Sequence, residues 1–280
     1  MRWEYGRRST NVEDRRRMGG SSRGAGLGLG GIVLALIAMF FGIDPSIVLD
    51  QAAPDPFSAP QQTQVSPADD RAAELVSVVL ADTEETWNEI FRQLGSRYAE
   101  PRLVLFSGAV QSACGYAQAA LGPFYCPRDQ RIYIDLSFFE DMRNQLGAPG
   151  EFAQAYVLAH EVGHHVQNLL GISGQVQSLQ QRVSQTQANQ LSVRLELQAD
   201  CFAGVWGHNA QIVELDRTDI EQGLNAAAAI GDDRLQRRSQ GYVVPESFTH
   251  GSSAQRVRWF EEGLRAGDPE LCNTFETQQL

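Results

Sequence analysis

The chain of 280 residues contains no lysine, so its 23 basic residues other than histidine are all arginines. Without a lysine amine, Schiff-base catalysis, attachment of pyridoxal phosphate and the lysine-dependent phosphate loop are excluded. The 34 acidic residues outnumber the arginines, and the sequence pI is about 4.9. A general nucleic-acid binder is not expected, because such proteins have a basic surface. Apolar residues make up 42% of the chain, which excludes global disorder.

The net charge of −11 is distributed unevenly. Residues 1–23 hold seven arginines and three acids, a net charge of +4, whereas the other 257 residues have a net charge of −15. Residues 24–43 contain no charged side chain. About 20 uncharged residues are long enough to cross a hydrocarbon core of about 30 Å as a helix. We therefore predict a single transmembrane helix over residues 24–43.

The arginines before this segment predict its orientation, because basic flanks stay on the cytoplasmic side of a membrane. Residues 1–23 are expected to be a cytoplasmic tail of a cell (inner) membrane protein, and the C-terminal part is expected in the periplasm or outside the cell. A cleaved signal peptide is one alternative, although its apolar core is usually shorter and no small-x-small site follows Ile43. A buried helix of a soluble protein is the other.

Residues 44–70 are rich in proline, glutamine, alanine and serine, which is typical of a linker. Residues 71–280 are then the folded domain, long enough for a real core. Sequence patterns predict a helix from Ser66 to Gly95, a strand at 102–106, a hairpin of strands 124–126 and 132–134, and helices at 137–146, 151–170, 191–208, 218–231 and 252–266. The stretch 171–190 fits a loop or a weak helix. The predicted fold is α+β, mainly helical with one small sheet.

The four cysteines include no Cys-x-x-Cys pair, so metal binding by thiolates is not expected. They allow three pairings. Cys114 and Cys126 bracket the start of the predicted hairpin, which favours that pair, and Cys201 with Cys272 would complete the set. Disulfides persist in the oxidising space in which the predicted topology places the domain. Four free buried thiols are the alternative if the topology is inverted.

The sequence His-Glu-Val-Gly-His at residues 160–164 follows an apolar helical run. His160 and His164 lie one helical turn apart and face the same side, so both imidazoles can bind one zinc ion. Glu161 can act as the general base on a water activated by that ion. Helical geometry turns His165 away from the pair, so it is not expected to be a ligand. A solvated His/Glu helix face is the alternative interpretation.

Glu196 and Asp200 form a second pair one helical turn apart, on an otherwise apolar segment. A catalytic zinc ion usually has three protein ligands, and Glu196 is the favoured third ligand. Asp200 is expected to hold the free N–H of one of the two histidines. His208 and His250 are competing third ligands, and an ordinary surface pair of carboxylates is the alternative.

With these motifs the chain resembles the neutral zinc metallopeptidase family, which consists of bacterial membrane-anchored proteins. The resemblance covers nearly the whole chain. Besides the metal motifs, it rests on Arg-Ser-x-Asn-Val-Glu-Asp-Arg-Arg at 8–16, Cys-Gly-Tyr at 114–116, Gly-Pro-Phe-Tyr-Cys-Pro at 122–127 and Phe-Thr-His-Gly-Ser-Ser-Ala-Gln-Arg at 248–256. It implies a zincin-like domain of the gluzincin kind, with one zinc ion bound by His160, His164 and Glu196, and with Glu161 as the base. It specifies no substrate.

More distant relatives, the membrane heat-shock and prenyl-protein proteases, have a later histidine followed six residues on by an arginine near the active site. His250 and Arg256 have the same spacing. This resemblance implies that His250 hydrogen-bonds the oxyanion of the tetrahedral intermediate and that Arg256 pairs with Glu196 or Asp200. The alternative role of His250 is a loop cap before the next helix.

The predicted function is that of a membrane-anchored zinc metallopeptidase acting on peptide or protein substrates. An extended substrate is expected to add as a strand to a sheet edge, for which residues 112–117 are the candidate. Two alternatives stay open: a non-catalytic, membrane-tethered zinc-binding protein, and a zinc hydrolase of non-peptide amides or esters. The presence of Glu161 argues against the first, because a structural zinc site needs no base.

Overall fold

The computed structural model describes residues 1–17, 66–277 and 280. The predicted transmembrane helix at 24–43 and the predicted linker up to residue 65 lie outside these residues, so both stay predictions. Within the described ranges, none of the helices combines the length and the apolar character that a membrane crossing requires.

The described residues form six strands and eight α-helices, which agrees with the predicted α+β class. The strands are β1 (Val12–Asp14), β2 (Arg102–Phe106), β3 (Ala109–Ser112), β4 (Gly115–Gln118), β5 (Phe124–Cys126) and β6 (Arg131–Asp135). The helices are α1 (Pro67–Gln93), α2 (Ser137–Asn144), α3 (Glu151–Leu169), α4 (Ile172–Gln180), α5 (Gln185–Asn209), α6 (Arg217–Ala229), α7 (Asp232–Gln240) and α8 (Ser253–Ala266).

Four strands form a mixed sheet in the order β1-β2-β6-β5. Strands β1, β2 and β6 are parallel, and β5 is antiparallel to β6 through the predicted hairpin. The central strands are apolar because both of their faces are covered, with Leu103, Val104 and Ile132 fully buried. Strands β3 and β4 form a separate two-stranded sheet. The predicted substrate edge at 112–117 belongs to this separate hairpin, and β5 is an edge strand of the main sheet.

Helices α3, α5 and α8 meet at close range and carry the site residues. A Cβ atom on Gly204 of α5 or on Gly263 of α8 would collide with the backbone of the other helix. A Cβ atom on Gly163 of α3 would lie 2.9 Å from the carbonyl oxygen of Ala199 on α5. Because glycine lets the three backbones approach so closely, side chains from all three helices reach the same point.

The amino-terminal segment, residues 1–17, packs on this domain. Trp3 is 2% exposed, and its indole N–H donates to Glu151 over 2.9 Å. Strand β1 belongs to the same segment and pairs with β2. Residues 1–17 therefore pack on the domain in this structure, whereas the charge pattern predicts a separate tail. The physical reason is that the segment has acidic and apolar partners within the domain.

Each predicted helix is present in the structure. Two further helical stretches, within 171–190 and at Asp232–Gln240, are not assigned by the sequence patterns. Helix α1 starts at Pro67 with the expected cap, in which Ser66 and Asp69 satisfy each other's backbone N–H groups. The ambiguous stretch 171–190 contains α4 and the first turn of α5, so it is helical rather than a loop. Helix α7 was not predicted, because its sequence is almost entirely polar and shows no apolar periodicity.

Two disulfides join Cys114 to Cys126 and Cys201 to Cys272, with Cα–Cα distances of 5.8 and 5.6 Å. The first connects the turn between β3 and β4 to β5, and the second connects α5 to the short 3-10 turn near the end of the chain. No cysteine is left free. The favoured pairing is thus confirmed.

Candidate metal centre

Three side chains from two helices converge on one point. His160 and His164 come from α3, and Glu196 comes from α5. One ligand atom from each residue lies within 4.8 Å of the other two, and within the described ranges this is the one group of three or more such side chains that could hold a metal ion. The Glu196 carboxylate lies 3.1 Å from Nε2 of His160 and 3.4 Å from Nε2 of His164.

The outer nitrogen of each imidazole has its own partner. Nδ1 of His160 lies 2.8 Å from Asp200, and Nδ1 of His164 lies 2.9 Å from the amide oxygen of Gln167. These acceptors place the proton on Nδ1 and leave the Nε2 lone pairs directed at the centre. Two imidazole nitrogens and a carboxylate are a ligand set of catalytic zinc sites. The donor chemistry of these residues therefore fits a zinc ion.

Asp200 connects the first histidine to a buried arginine. The Asp200 carboxylate accepts from Nε and Nη2 of Arg256, each over 2.8 Å, and from the hydroxyl of Tyr156 over 2.5 Å. Asp200 is fully buried and Arg256 is 2% exposed. Of the two partners that the sequence leaves open for Arg256, the structure shows Asp200. This two-pronged pair fixes the acceptor that orients His160.

The charges of this network are mutually stabilising. Burial raises the pKa of Asp200, but the Arg256 guanidinium and the His160 imidazole outweigh it and hold the pKa below its usual value. Burial lowers the pKa of Arg256, but the Asp200 charge outweighs that effect and holds the pKa well above its usual value. Asp200 and Arg256 are therefore an ion pair throughout the neutral range.

Glu161 lies next to His160 and is 7% exposed. Its carboxylate makes no hydrogen bond to any described residue, whereas Glu196 and Asp200 are both engaged. Burial raises the pKa of Glu161, against an opposing effect of His164 and His160. A buried carboxylate with a raised pKa and free lone pairs is able to accept a proton from a water molecule in the centre.

His250 is held in place by Asp232, the first residue of α7. One carboxylate oxygen of Asp232 accepts the backbone N–H groups of Thr249, His250 and Gly251 over 2.8, 2.7 and 3.1 Å. The other lies 3.2 Å from Nδ1 of His250. Burial lowers the pKa of His250, but the bond to Asp232 and the charge of Glu196 raise it above its usual value. Asp232 thus holds His250 in place, and the carboxylates of Asp232 and Glu196 both favour its protonated form.

Two other histidines lie outside the centre. Nε2 of His165 donates to the carbonyl of Ala99 over 2.5 Å, and its Nδ1 accepts from the hydroxyl of Tyr125 on β5 over 2.9 Å. His208 contacts the carbonyl of Leu264. Both ring nitrogens of His165 are thus engaged away from the convergent group. The alternative of His208 as third ligand is not supported, since it is absent from the group of convergent side chains.

Three supporting residues were missed at the level of sequence: Tyr156, Gln167 and Asp232. Two of them carry a local signal, because Tyr156 precedes His160 by one helical turn and Gln167 follows His164 by three residues. Asp232 carries none, since it reaches His250 from a helix 18 positions earlier in the chain.

Sequence comparisons relate the chain to known proteins. Residues 1–275 match the sequence profile of the family described as "Putative neutral zinc metallopeptidase". The chain is 52% identical to uncharacterized protein YpfJ of Escherichia coli K12, over 98% of this chain and 99% of that protein. It is 40% identical to uncharacterized protein Mb2605 of Mycobacterium bovis, over 87% of this chain and 86% of that protein. No solved structure gives a significant match. The chain belongs to the neutral zinc metallopeptidase family.

Proposed function

We propose that this protein is a zinc-dependent peptidase that hydrolyses peptide bonds in peptide or protein substrates. The observation that carries the proposal is the position of Glu161, a buried carboxylate without a hydrogen-bond partner among the described residues, beside the convergent His160, His164 and Glu196. A structural zinc site would have no use for such a base. Family membership supports the same chemistry.

His160, His164 and Glu196 would hold one zinc ion, with Asp200 and Gln167 fixing the two imidazoles. Zinc bound there supplies a Lewis acid that polarises the substrate carbonyl and makes water acidic enough to give hydroxide near neutral pH. Glu161 takes the proton from the attacking water and passes it to the leaving amine. His250, oriented by Asp232, donates a hydrogen bond to the oxyanion.

The substrate is proposed to add to β5 as an extended strand. This strand is an edge of the main sheet, and the Tyr125 hydroxyl links it to His165 on the helix that carries the metal ligands. Backbone pairing at such an edge binds peptides with little dependence on their side chains. A peptide substrate therefore fits this edge better than a small ester or amide does.

Two aspects of the cellular setting are part of this proposal. The uncharged residues 24–43 are proposed to attach the protein to a membrane, an expectation that rests on their composition alone. The domain is proposed to work in an oxidising compartment, which the two disulfides support because such bonds rarely persist in the cytosol.

The test replaces Glu161 by Gln in the full chain, with Glu140→Gln on the exposed face of α2 as the matched control. Cleavage of a peptide library is expected to fall about 10²–10⁴-fold in Glu161→Gln, the usual contribution of a general base, with zinc content unchanged. The control is expected to cleave like the parent. Equal cleavage by the parent and Glu161→Gln would refute the proposed base.

A further inference from the structure

The arginine-rich amino-terminal segment is matched by acidic residues of the domain. Its positive groups form these pairs with the domain: the Met1 ammonium with Asp219 at 2.7 Å, Arg2 with Glu214, Arg7 with Glu84 and Glu85 at 3.2 Å each, Arg8 with Glu74 at 3.3 Å, and Arg16 with Asp70 at 3.3 Å. The excess of basic residues in the segment therefore faces the excess of acidic residues in the domain.

Burial and backbone pairing add to these ion pairs, which are individually weak where they are exposed. The side chain of Trp3 is buried, and the guanidinium of Arg71 lies 4.9 Å above its ring. Ser9 and Asn11 both donate to the buried carboxylate of Glu84. Strand β1 continues the main sheet beside β2. Residues 1–17 thus contact the domain along most of their length.

The last residues of the segment also contact the first turn of α1. Nη1 of Arg16 donates to the backbone carbonyl of Asp69 over 3.1 Å, and Asp69 lies in the first turn of α1. Arg16 is 8% exposed, so this contact is enclosed rather than incidental. The last residues of the segment and the first residues of α1 are therefore neighbours on the domain.

We propose that residues 1–17 and 66–277 lie in one compartment, on the same side of any membrane that the chain meets. A hydrocarbon core of about 30 Å cannot lie between groups that are hydrogen-bonded at about 3 Å. Arg2, Arg7, Arg8 and Arg16 serve as partners of the domain rather than as a cytoplasmic retention signal. This replaces the predicted topology, in which a cytoplasmic tail and an outer domain lie on opposite sides.

The test compares two single-cysteine reporters in the full-length chain in its own membrane. Tyr5→Cys reports on the segment and Tyr242→Cys reports on the domain, because these side chains are 103% and 62% exposed. All four natural cysteines are in disulfides, so the parent provides the background. A membrane-impermeant maleimide is added to intact spheroplasts and, separately, to inverted membrane vesicles.

The proposal expects both reporters to be labelled in the same preparation and protected in the other, or labelled in both if no membrane encloses the protein. Labelling from opposite sides would overturn it, as would loss of residues 1–17 by cleavage. A second measurement uses Val12→Cys with Leu103→Cys, which are direct partners in β1 and β2. After a membrane-permeant thiol oxidant is added to the membranes, a disulfide between them is expected, and free thiols at both positions would contradict the proposal.

Discussion

The metal centre and the amino-terminal segment are packed against the same core, but only the first can be derived from local sequence rules. In the metal centre, His160 is one helical turn from His164, and Glu196 is one turn from Asp200. In the segment, the Met1 ammonium contacts Asp219, 218 positions further along the chain. Side chains that act together within one helical turn can be recognised in the sequence by their spacing. Side chains that meet from distant parts of the chain show no such spacing, and only the overall charge composition hints at them.

The difference teaches how a charge run should be interpreted. Seven arginines before an uncharged stretch match the pattern of a membrane orientation signal. Four of them, Arg2, Arg7, Arg8 and Arg16, pair with acidic residues of the domain, and the guanidinium of Arg7 lies between Glu84 and Glu85. The charge pattern alone does not distinguish a membrane from an acidic domain as the partner of these arginines. Substitutions in the metal centre and in the amino-terminal segment test the two regions separately.

The largest expected effect is in the metal centre, at Arg256. Arg256→Met leaves the carboxylate of Asp200 buried without its cationic partner, which is expected to lower the free energy of unfolding by about 3–5 kcal/mol. Urea unfolding measures the change. Arg258→Met, an exposed arginine two residues along α8, is the control and is expected to change little. A similar small change in both variants would show that the pair does not organise this region.

The amino-terminal segment is expected to be nearly as important for stability. Trp3→Ala removes a buried indole and should lower the free energy of unfolding by about 3 kcal/mol, the lower end of the range for truncated aromatic residues. Tyr5→Ala, two positions away and fully exposed, is the matched control. Thermal unfolding of both variants would sharpen the comparison. If Trp3→Ala is as stable as Tyr5→Ala, the segment is not part of the domain.

A smaller effect is expected at Asp232. This residue contacts His250, although it lies 18 positions earlier in the chain. The bond to Asp232 helps to raise the pKa of His250, so the imidazolium donor is lost only as pH rises through that raised value. In Asp232→Asn the alkaline limb of kcat/KM should move to lower pH, with a loss of about tenfold on that limb. Asp233→Asn, which bonds Ser253 instead, should keep the parent profile. An unchanged limb in Asp232→Asn would show that Asp232 does not set the pKa of a group that limits activity.

The sequence predicts most of the helices and the hairpin because apolar periodicity and turn residues mark them directly. Helix α7 and strand β1 escape this logic, since α7 is polar and β1 is only three residues long. The same limit applies to the site. His160, Glu161 and His164 follow from one motif, but the choice of Asp200 over Glu196 as the partner of Arg256 depends on how α5 and α8 cross at Gly204 and Gly263. The angle and contact point at which two helices cross cannot be predicted from the sequence of either helix alone.

The central claim is that His160, His164 and Glu196 together hold one zinc ion. The most direct test is the zinc content of the purified full chain and of Glu196→Ala, with Glu261→Ala on α8 as the control. The expected result is one zinc ion per chain in the parent and the control. Zinc affinity in Glu196→Ala should fall by more than the roughly 10-fold that is typical when a residue supporting a ligand is lost. Zinc binding by Glu196→Ala as tight as that of the parent would contradict the account.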